Sequence, residues 1–144
     1  MVDWSRCNAM TKVATGFDIH VPFVEHLGLQ LLEKRNGFVR MRLEPQSEFE
    51  NSWGSMHGGA LMTLLDVALA TAGRSLDEHC SGALTVEIKV NFIAAAVGPV
   101  LAEGRAQRAG RSLIFSEGEL RSEDGTLLAK ATGTFKLLYP KSVD

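Results

Sequence analysis

The hydrophobic positions change period along the chain, and each change marks an expected element. From Gly58 to about Leu76 apolar residues recur three and four apart, as Ala60, Leu61, Leu64, Leu65, Ala68, Leu69 and Ala72, which predicts a helix. After it, Leu84, Val86, Ile88, Val90 and Phe92 alternate with Thr85, Glu87, Lys89 and Asn91, the period of a strand with one covered face. Further strands are expected over Val100 to Gln107, following Gly98-Pro99, over Arg111 to Arg121, following Ala109-Gly110, and over Thr126 to Leu138, following Glu123-Asp124-Gly125. Upstream, Leu29 to Glu33 and Phe38 to Leu43 flank Arg35-Asn36-Gly37 and read as a hairpin, because Asn-Gly supplies the positive φ of a tight turn. Pro45 to Gly54 reads as a polar loop. Phe17 to Leu27 is apolar with interruptions, and Pro22 restricts any helix there to a short piece. The first sixteen residues show no period and read as a loose lead-in.

Short connections between the last four strands favour antiparallel pairing, since a parallel crossover needs a longer link. The expected class is therefore α+β, an antiparallel sheet with one principal helix, in a single domain over residues 1–144; the strand order is not legible at this level. A chain of 144 residues has room for one core and not for two. Hydrophobic residues at 45% and charged residues at 22% are ordinary for a soluble domain. A net charge of -2 with no basic run speaks against nucleic acid as a main partner. No secretory pattern and no membrane-spanning apolar run is visible, so a cytoplasmic location is expected. Cys7 and Cys80 have no metal-ligand spacing and make no disulfide framework, and His79 before Cys80 is weak evidence for a nucleophilic thiol. His20, His26 and His79 share no spacing, and no metal site is expected.

The predicted helix carries a single ionisable residue between Gly58 and Gly73, which is Asp66. Its neighbours are apolar around the whole circumference, so the helix is expected to be buried on most sides. A carboxylate there is costly unless it is paired, neutralised or used. Asp66 lies two turns past the helix start, too far in to be an N-cap. A structural ion pair with Arg42 or Lys89 is the competing reading. At the helix start stand Gly58 and Gly59, preceded by Asn51-Ser52-Trp53-Gly54-Ser55-Met56-His57. Glycines let a ligand approach the backbone, and the free N–H groups with the positive end of the helix dipole suit an oxyanion. Asp66 is eight residues beyond Gly58, about 12 Å along the axis. One aspartate cannot close that gap, so if both groups serve one reaction centre they come from different chains.

The spaced set Asn51, His57-Gly58-Gly59 and Leu64-Leu65-Asp66-Val67-Ala68 resembles the hotdog-fold thioesterases of the phenylacetate-degradation type. The likeness extends to Thr85 through Phe92 and to Gly110-Arg111-Ser112-Leu113, covering roughly Leu27 to Leu138. It implies a curved antiparallel sheet wrapped around the long helix, assembled as homodimers or homotetramers, that hydrolyses acyl-CoA thioesters without metal or cofactor. Carried over by resemblance, Gly58 offers its N–H to the thioester oxygen, and Asn51 helps orient that carbonyl or the attacking water. His57 holds Asn51 and its loop, and Asp66 of the partner subunit is the base or the nucleophile. Thr85 stands where relatives orient the water with Ser or Thr. Gly59 belongs to the same substrate-binding helix start. Arg108, Gly110, Arg111 and Ser112 fall where the resemblance places CoA contacts, although an ordinary solvated turn reads equally well. Trp53, Met62 and Phe92 are candidates for the acyl pocket.

Two other readings stand beside this one. A hotdog hydratase or dehydratase also sets a histidine against a helix carboxylate, but with a Pro-rich loop and a longer gap than the nine residues from His57 to Asp66. A non-catalytic acyl-CoA-binding module has no need of a carboxylate inside an apolar helix.

Overall fold

The computed structural model describes residues 16–142, which leaves Cys7 and almost all of the expected lead-in outside the described residues. A short helix α1, Pro22–Leu27, has Pro22 at its first position, where the missing N–H costs nothing, and ends at Gly28 with φ 70°. Strands β1 (Gln30–Arg35) and β2 (Phe38–Leu43) form the expected hairpin. Only Gly37 of its turn takes a positive φ, 78°, so the turn needs its glycine at the second central position and no strain at Asn36. The polar loop that follows contains a 3₁₀ turn, Ser47–Phe49, whose Phe49 is buried. Helix α2 spans Gly58–Arg74, two residues short of the expected end, and is followed by β3 (Gly82–Phe92), β4 (Val100–Arg108), β5 (Leu113–Ser122) and β6 (Leu127–Leu138).

The six strands form one antiparallel sheet in the order β1-β2-β4-β5-β6-β3, with α2 packed across one face. Leu61, Leu64, Leu65, Ala68, Leu69 and Ala72 of α2 bury against Met41, Ala102, Ile114, Leu120 and Phe135 from the sheet. At about 25 cal/mol per Å² of apolar surface removed from water, this layer is the main source of stability. Gly104 and Gly118 face each other across β4 and β5 beneath the helix. A Cβ on Gly104 would stand 3.1 Å from the Ala68 carbonyl oxygen, and one on Gly118 would stand 2.5 Å from the Glu103 oxygen and 2.9 Å from Leu69 Cδ2. The two glycines thus set how closely the helix approaches the sheet.

Two features of the strands are decided only by the fold. First, β3 does not pair with its sequence neighbour β4 but crosses to the far edge and pairs with β6. The connecting segment, residues 93–99, reaches that far because the three strand spacings amount to only about 14 Å. Second, the alternation in β3 fails at Val86. Phe92, Val90 and Ile88 lie opposite Ala129, Ala131 and Gly133, but the register shifts between Thr85 and Glu87, so Thr85 lies opposite the buried Phe135. A bulge at Val86 therefore turns Thr85 onto the helix side and leaves Leu84 and Val86 exposed.

Candidate active site

The N-terminus of α2 is held by three interactions. His57 is the N-cap, with extended backbone (φ −61°, ψ 139°), and its Nδ1 accepts the Gly59 N–H at 2.8 Å. The Ala60 and Leu61 amides both donate to the His57 carbonyl, at 3.0 and 3.3 Å. That leaves the Gly58 N–H without a hydrogen-bond partner among the described residues. The two glycines, equivalent by sequence, are therefore not equivalent: Gly59 is capped, and Gly58 is the donor open to a ligand. Because Nδ1 accepts, the neutral His57 carries its proton on Nε2.

The loop before the cap is built around Asn51. Its Oδ1 accepts from the amides of Trp53 (2.9 Å) and Ser55 (3.2 Å), and its Nδ2 donates to Ser55 Oγ at 2.9 Å. Asn51 thus shapes its own loop as an Asx turn. No hydrogen bond joins its side chain to that of His57, whose ring serves the helix; His57 holds the loop through its amide, which donates to the Phe49 carbonyl at 2.6 Å. Ser55, which sequence reasoning did not single out, is the residue that holds the Asn51 amide; an Asn followed four residues later by Ser was the available signal. The loop is tied to the segment after β3 by the Met56 amide, which donates to the Ala96 carbonyl at 2.7 Å.

Asp66 lies in the middle of α2, half-buried and not enclosed. The face of the helix around it is partly open, with Met62 exposed, which corrects the expectation of burial on most sides. The structural alternative for this carboxylate also fails. Arg42 pairs with Glu44 and Glu123, and Lys89 borders the hollow on the opposite face of the sheet, beside Glu103 and Lys130. Asp66 instead accepts a 2.6 Å hydrogen bond from the Thr85 hydroxyl to Oδ1, which leaves Oδ2 free among the described residues. The bulge at Val86 makes that contact. Unbroken alternation would have placed Thr85 with Glu87 and Lys89, facing away from the helix.

Gly58 and Asp66 do not meet within one chain. Gly58 is beside Phe92, whose ring Cζ is 3.4 Å from the position a Gly58 Cβ would take. Asp66 is beside Thr85, near the other end of β3.

The residues expected to meet CoA divide. Arg108 is spent inside the protein. It donates to the Gly110 carbonyl (2.9 Å), the Arg111 carbonyl, the Asp77 carboxylate (3.2 Å) and the Tyr139 hydroxyl (3.0 Å). Tyr139 in turn donates to Asp77 at 2.8 Å. The His79 amide, the Tyr139 hydroxyl and the Arg108 guanidinium together hold the Asp77 carboxyl below the usual carboxylate range. This network clamps the turn Ala109-Gly110-Arg111-Ser112 to the end of α2 and to the chain after β6. Arg111 is exposed on that turn, and its guanidinium has no partner among the described residues. Nothing in the local sequence pointed to Asp77 or Tyr139. Also among the described residues, no group of three His, Cys, Asp or Glu side chains could hold a metal ion, and no helix is long and apolar enough to cross a membrane.

A family model described as the Thioesterase superfamily matches residues 54–129, more than half of the chain. The chain belongs to this family. Among its relatives is the medium/long-chain acyl-CoA thioesterase YigI of Salmonella typhimurium, 28% identical over 143 residues, covering 88% of this chain and 92% of that one. A conserved protein of Pseudomonas aeruginosa has a solved structure with TM-score 0.77 and 35% identity, covering 83% of this chain and 95% of that chain. The PaaI protein of the Escherichia coli phenylacetic acid degradation operon superposes with TM-score 0.74 at 19% identity, over 81% and 83% of the two chains. The hotdog fold of these neighbours, one sheet around one long helix, is the fold of this protein.

Proposed function

We propose that this thioesterase-superfamily protein hydrolyses acyl-CoA thioesters at two symmetric sites, each built from Gly58 of one chain and Asp66 of a second. The observation that carries the reading is the Gly58 N–H, free among the described residues, at the start of an apolar helix whose one carboxylate, Asp66, is bonded to Thr85 near the other end of an edge strand with no outer partner among the described residues.

The edge strand supplies the geometry. β3 offers an outer edge of 11 residues flanked by exposed Leu84, Val86 and Phe92. The opposite edge strand, β1, is six residues long, has its own register shift and ends in Glu33-Lys34-Arg35, features that discourage pairing. Two copies of β3 paired antiparallel about a point between Ile88 and Lys89 set Phe92 of each opposite Thr85 of the other. Gly58 rides on the Phe92 end and Asp66 on the Thr85 end, so the two-fold brings each free amide to the partner's carboxylate and makes the two sites identical.

The chemistry follows from those groups. The thioester oxygen accepts the Gly58 N–H, which with the positive end of α2 stabilises the oxyanion as the carbonyl is attacked. Thr85 fixes Oδ1 of Asp66, so Oδ2 takes the proton of the attacking water or attacks the carbonyl itself. The CoA thiolate then leaves without strong acid assistance. Arg111, whose guanidinium has no partner among the described residues, supplies the cation for a CoA phosphate. The acyl-CoA specificity of the YigI relative supports this substrate class.

The test is thiol release from a panel of acyl-CoA thioesters, with Asp66→Asn and Gly58→Pro made separately and then co-expressed. Each variant alone loses nearly all turnover. Mixed dimers hold one intact site, so random assembly restores about a quarter of wild-type activity. A mixture as inactive as its components overturns the shared site, and a wild type that releases no thiol from any substrate overturns the hydrolase reading.

A further inference from the structure

We infer that Asp77 and Tyr139 are positioning residues for the nucleotide end of CoA. They act through Arg108, which holds the turn Ala109-Gly110-Arg111-Ser112 in the shape that presents Arg111 to a phosphate. The inference deepens the proposed function and rests on it for CoA as the ligand of Arg111.

The turn is tied at both ends. The Ala109 amide donates to the Leu113 carbonyl at 2.9 Å, and the Leu137 amide of β6 donates to the Ser112 carbonyl at 2.7 Å. The two carbonyls between them, those of Gly110 and Arg111, both accept from the Arg108 guanidinium. A carbonyl oxygen is the negative end of its peptide dipole and repels a phosphate that it faces. Here both oxygens are neutralised by Arg108, and the exposed Arg111 side chain is left as the charge the turn offers to solvent. Gly110 takes φ 109°, and a Cβ on it would meet nothing within 4 Å, so a ligand can approach the backbone on that side.

Arg108 is itself held from outside the β4–β5 hairpin. Asp77 Oδ2 accepts from its Nη1 at 3.2 Å and from the Tyr139 hydroxyl at 2.8 Å, while the Tyr139 oxygen accepts from Nη2 at 3.0 Å. Asp77 is a firm anchor. Its Oδ1 accepts the His79 amide at 3.0 Å, and the helix end just before it is joined to the first hairpin by Ser75 Oγ, which accepts the Gly37 amide at 2.8 Å.

The strand register places this turn at the same end of the sheet as Asp66. Leu113 of β5 lies opposite Lys136 of β6, and Lys136 lies opposite Leu84 of β3, next to Thr85. Two strand spacings, about 10 Å, separate β5 from β3 there. A phosphate at Arg111 and a thioester at Asp66 of the same chain therefore belong to one CoA molecule. The sign of one substitution separates positioning from simple charge. Asp77 is a negative group near the phosphate, so Asp77→Asn tightens CoA binding if charge alone decides. Loss of the clamp weakens it, because the turn then no longer holds Arg111 in place.

The test is calorimetric titration with CoA of the wild type, Asp77→Asn, Tyr139→Phe, Arg111→Ala and the two double variants that include Arg111→Ala, with thermal unfolding of each. Asp77→Asn and Tyr139→Phe each weaken CoA binding about threefold to fivefold, the scale of one exposed ion pair. In the Arg111→Ala background each changes the affinity by less than about 1.5-fold, because the side chain they position is gone. In steady-state assays the loss falls on KM for acyl-CoA, with kcat within about twofold, and is absent with the matching acyl-pantetheine, which has no phosphate. Tyr139→Phe, which leaves every charge in place, carries the same cycle if Asp77→Asn does not fold. Tighter binding by Asp77→Asn, or unchanged binding in both variants, overturns the inference. Equal losses with and without Arg111, or on acyl-pantetheine, also overturn it, as does a wild type that does not bind CoA. A wild type that shows this cycle in CoA binding but releases no thiol supports the inference and overturns hydrolysis alone.

Discussion

Replacing Gly58 by proline removes one hydrogen-bond donor and little else. Gly58 is the first residue of α2, the position at which proline is best tolerated, and its N–H makes no intramolecular bond among the described residues. The preceding residue, His57, already has the extended backbone that proline imposes on its predecessor, with ψ 139°. A side chain has space too, since a Cβ meets only the Phe92 ring at an ordinary contact distance of 3.4 Å. Stability should hold or rise by up to about 1 kcal/mol through the stiffer unfolded chain. Catalysis should not. Loss of one oxyanion donor costs about 10²–10³ in kcat, or about 2.7–4 kcal/mol of transition-state stabilisation. Gly58→Ala is the control, because it adds the same Cβ and keeps the N–H, and it should stay within about tenfold of wild type. The assay is steady-state thiol release beside thermal unfolding of all three proteins. A Gly58→Pro variant that folds cooperatively and keeps kcat within about threefold would refute the assignment of the Gly58 amide as the oxyanion donor.

Thr85→Val removes the hydroxyl that donates to Asp66, a hydrogen bond to a charged group worth about 1.5–3 kcal/mol when sheltered and less at this exposed position. We expect kcat to fall roughly tenfold with little change in Tm, and Thr85→Ser to restore most of it, as read by single-turnover kinetics. Arg111→Ala should raise KM for acyl-CoA about fivefold and leave kcat within about twofold, with the effect shrinking as salt is added; an unchanged KM removes Arg111 from the binding site. Gly118→Ala forces a methyl to within 2.5 Å of the Glu103 carbonyl oxygen. Overpacking of this kind costs about 1–3 kcal/mol, so Tm should drop by roughly 3–9 °C in calorimetry while activity per folded molecule is retained.

What could be read along the chain was whatever depends on near neighbours. The three-and-four spacing of leucines and alanines defines α2, its lone carboxylate marks Asp66, and Asn36-Gly37 closes the first hairpin, because helices and tight turns are stabilised by residues a few positions apart. That Gly58 and Asp66 do not meet within one chain was also legible, since the rise per residue of a helix alone separates them. Tertiary structure decided the rest. The placement of β3 at the end of the sheet depends on pairing with β6, more than thirty residues away, and no local pattern reports it. The bulge at Val86 is a difference of one residue in register, yet it turns Thr85 from the far face of the sheet onto Asp66. Gly58 and Gly59 look alike until the His57 ring takes one amide and leaves the other. Arg108 and Arg111 are likewise both basic residues at one turn until Asp77 and Tyr139, brought in from α2's end and the chain beyond β6, claim the first. In each case side-chain identity was available from the start, but the partner that decides its role is brought close only by the folded sheet.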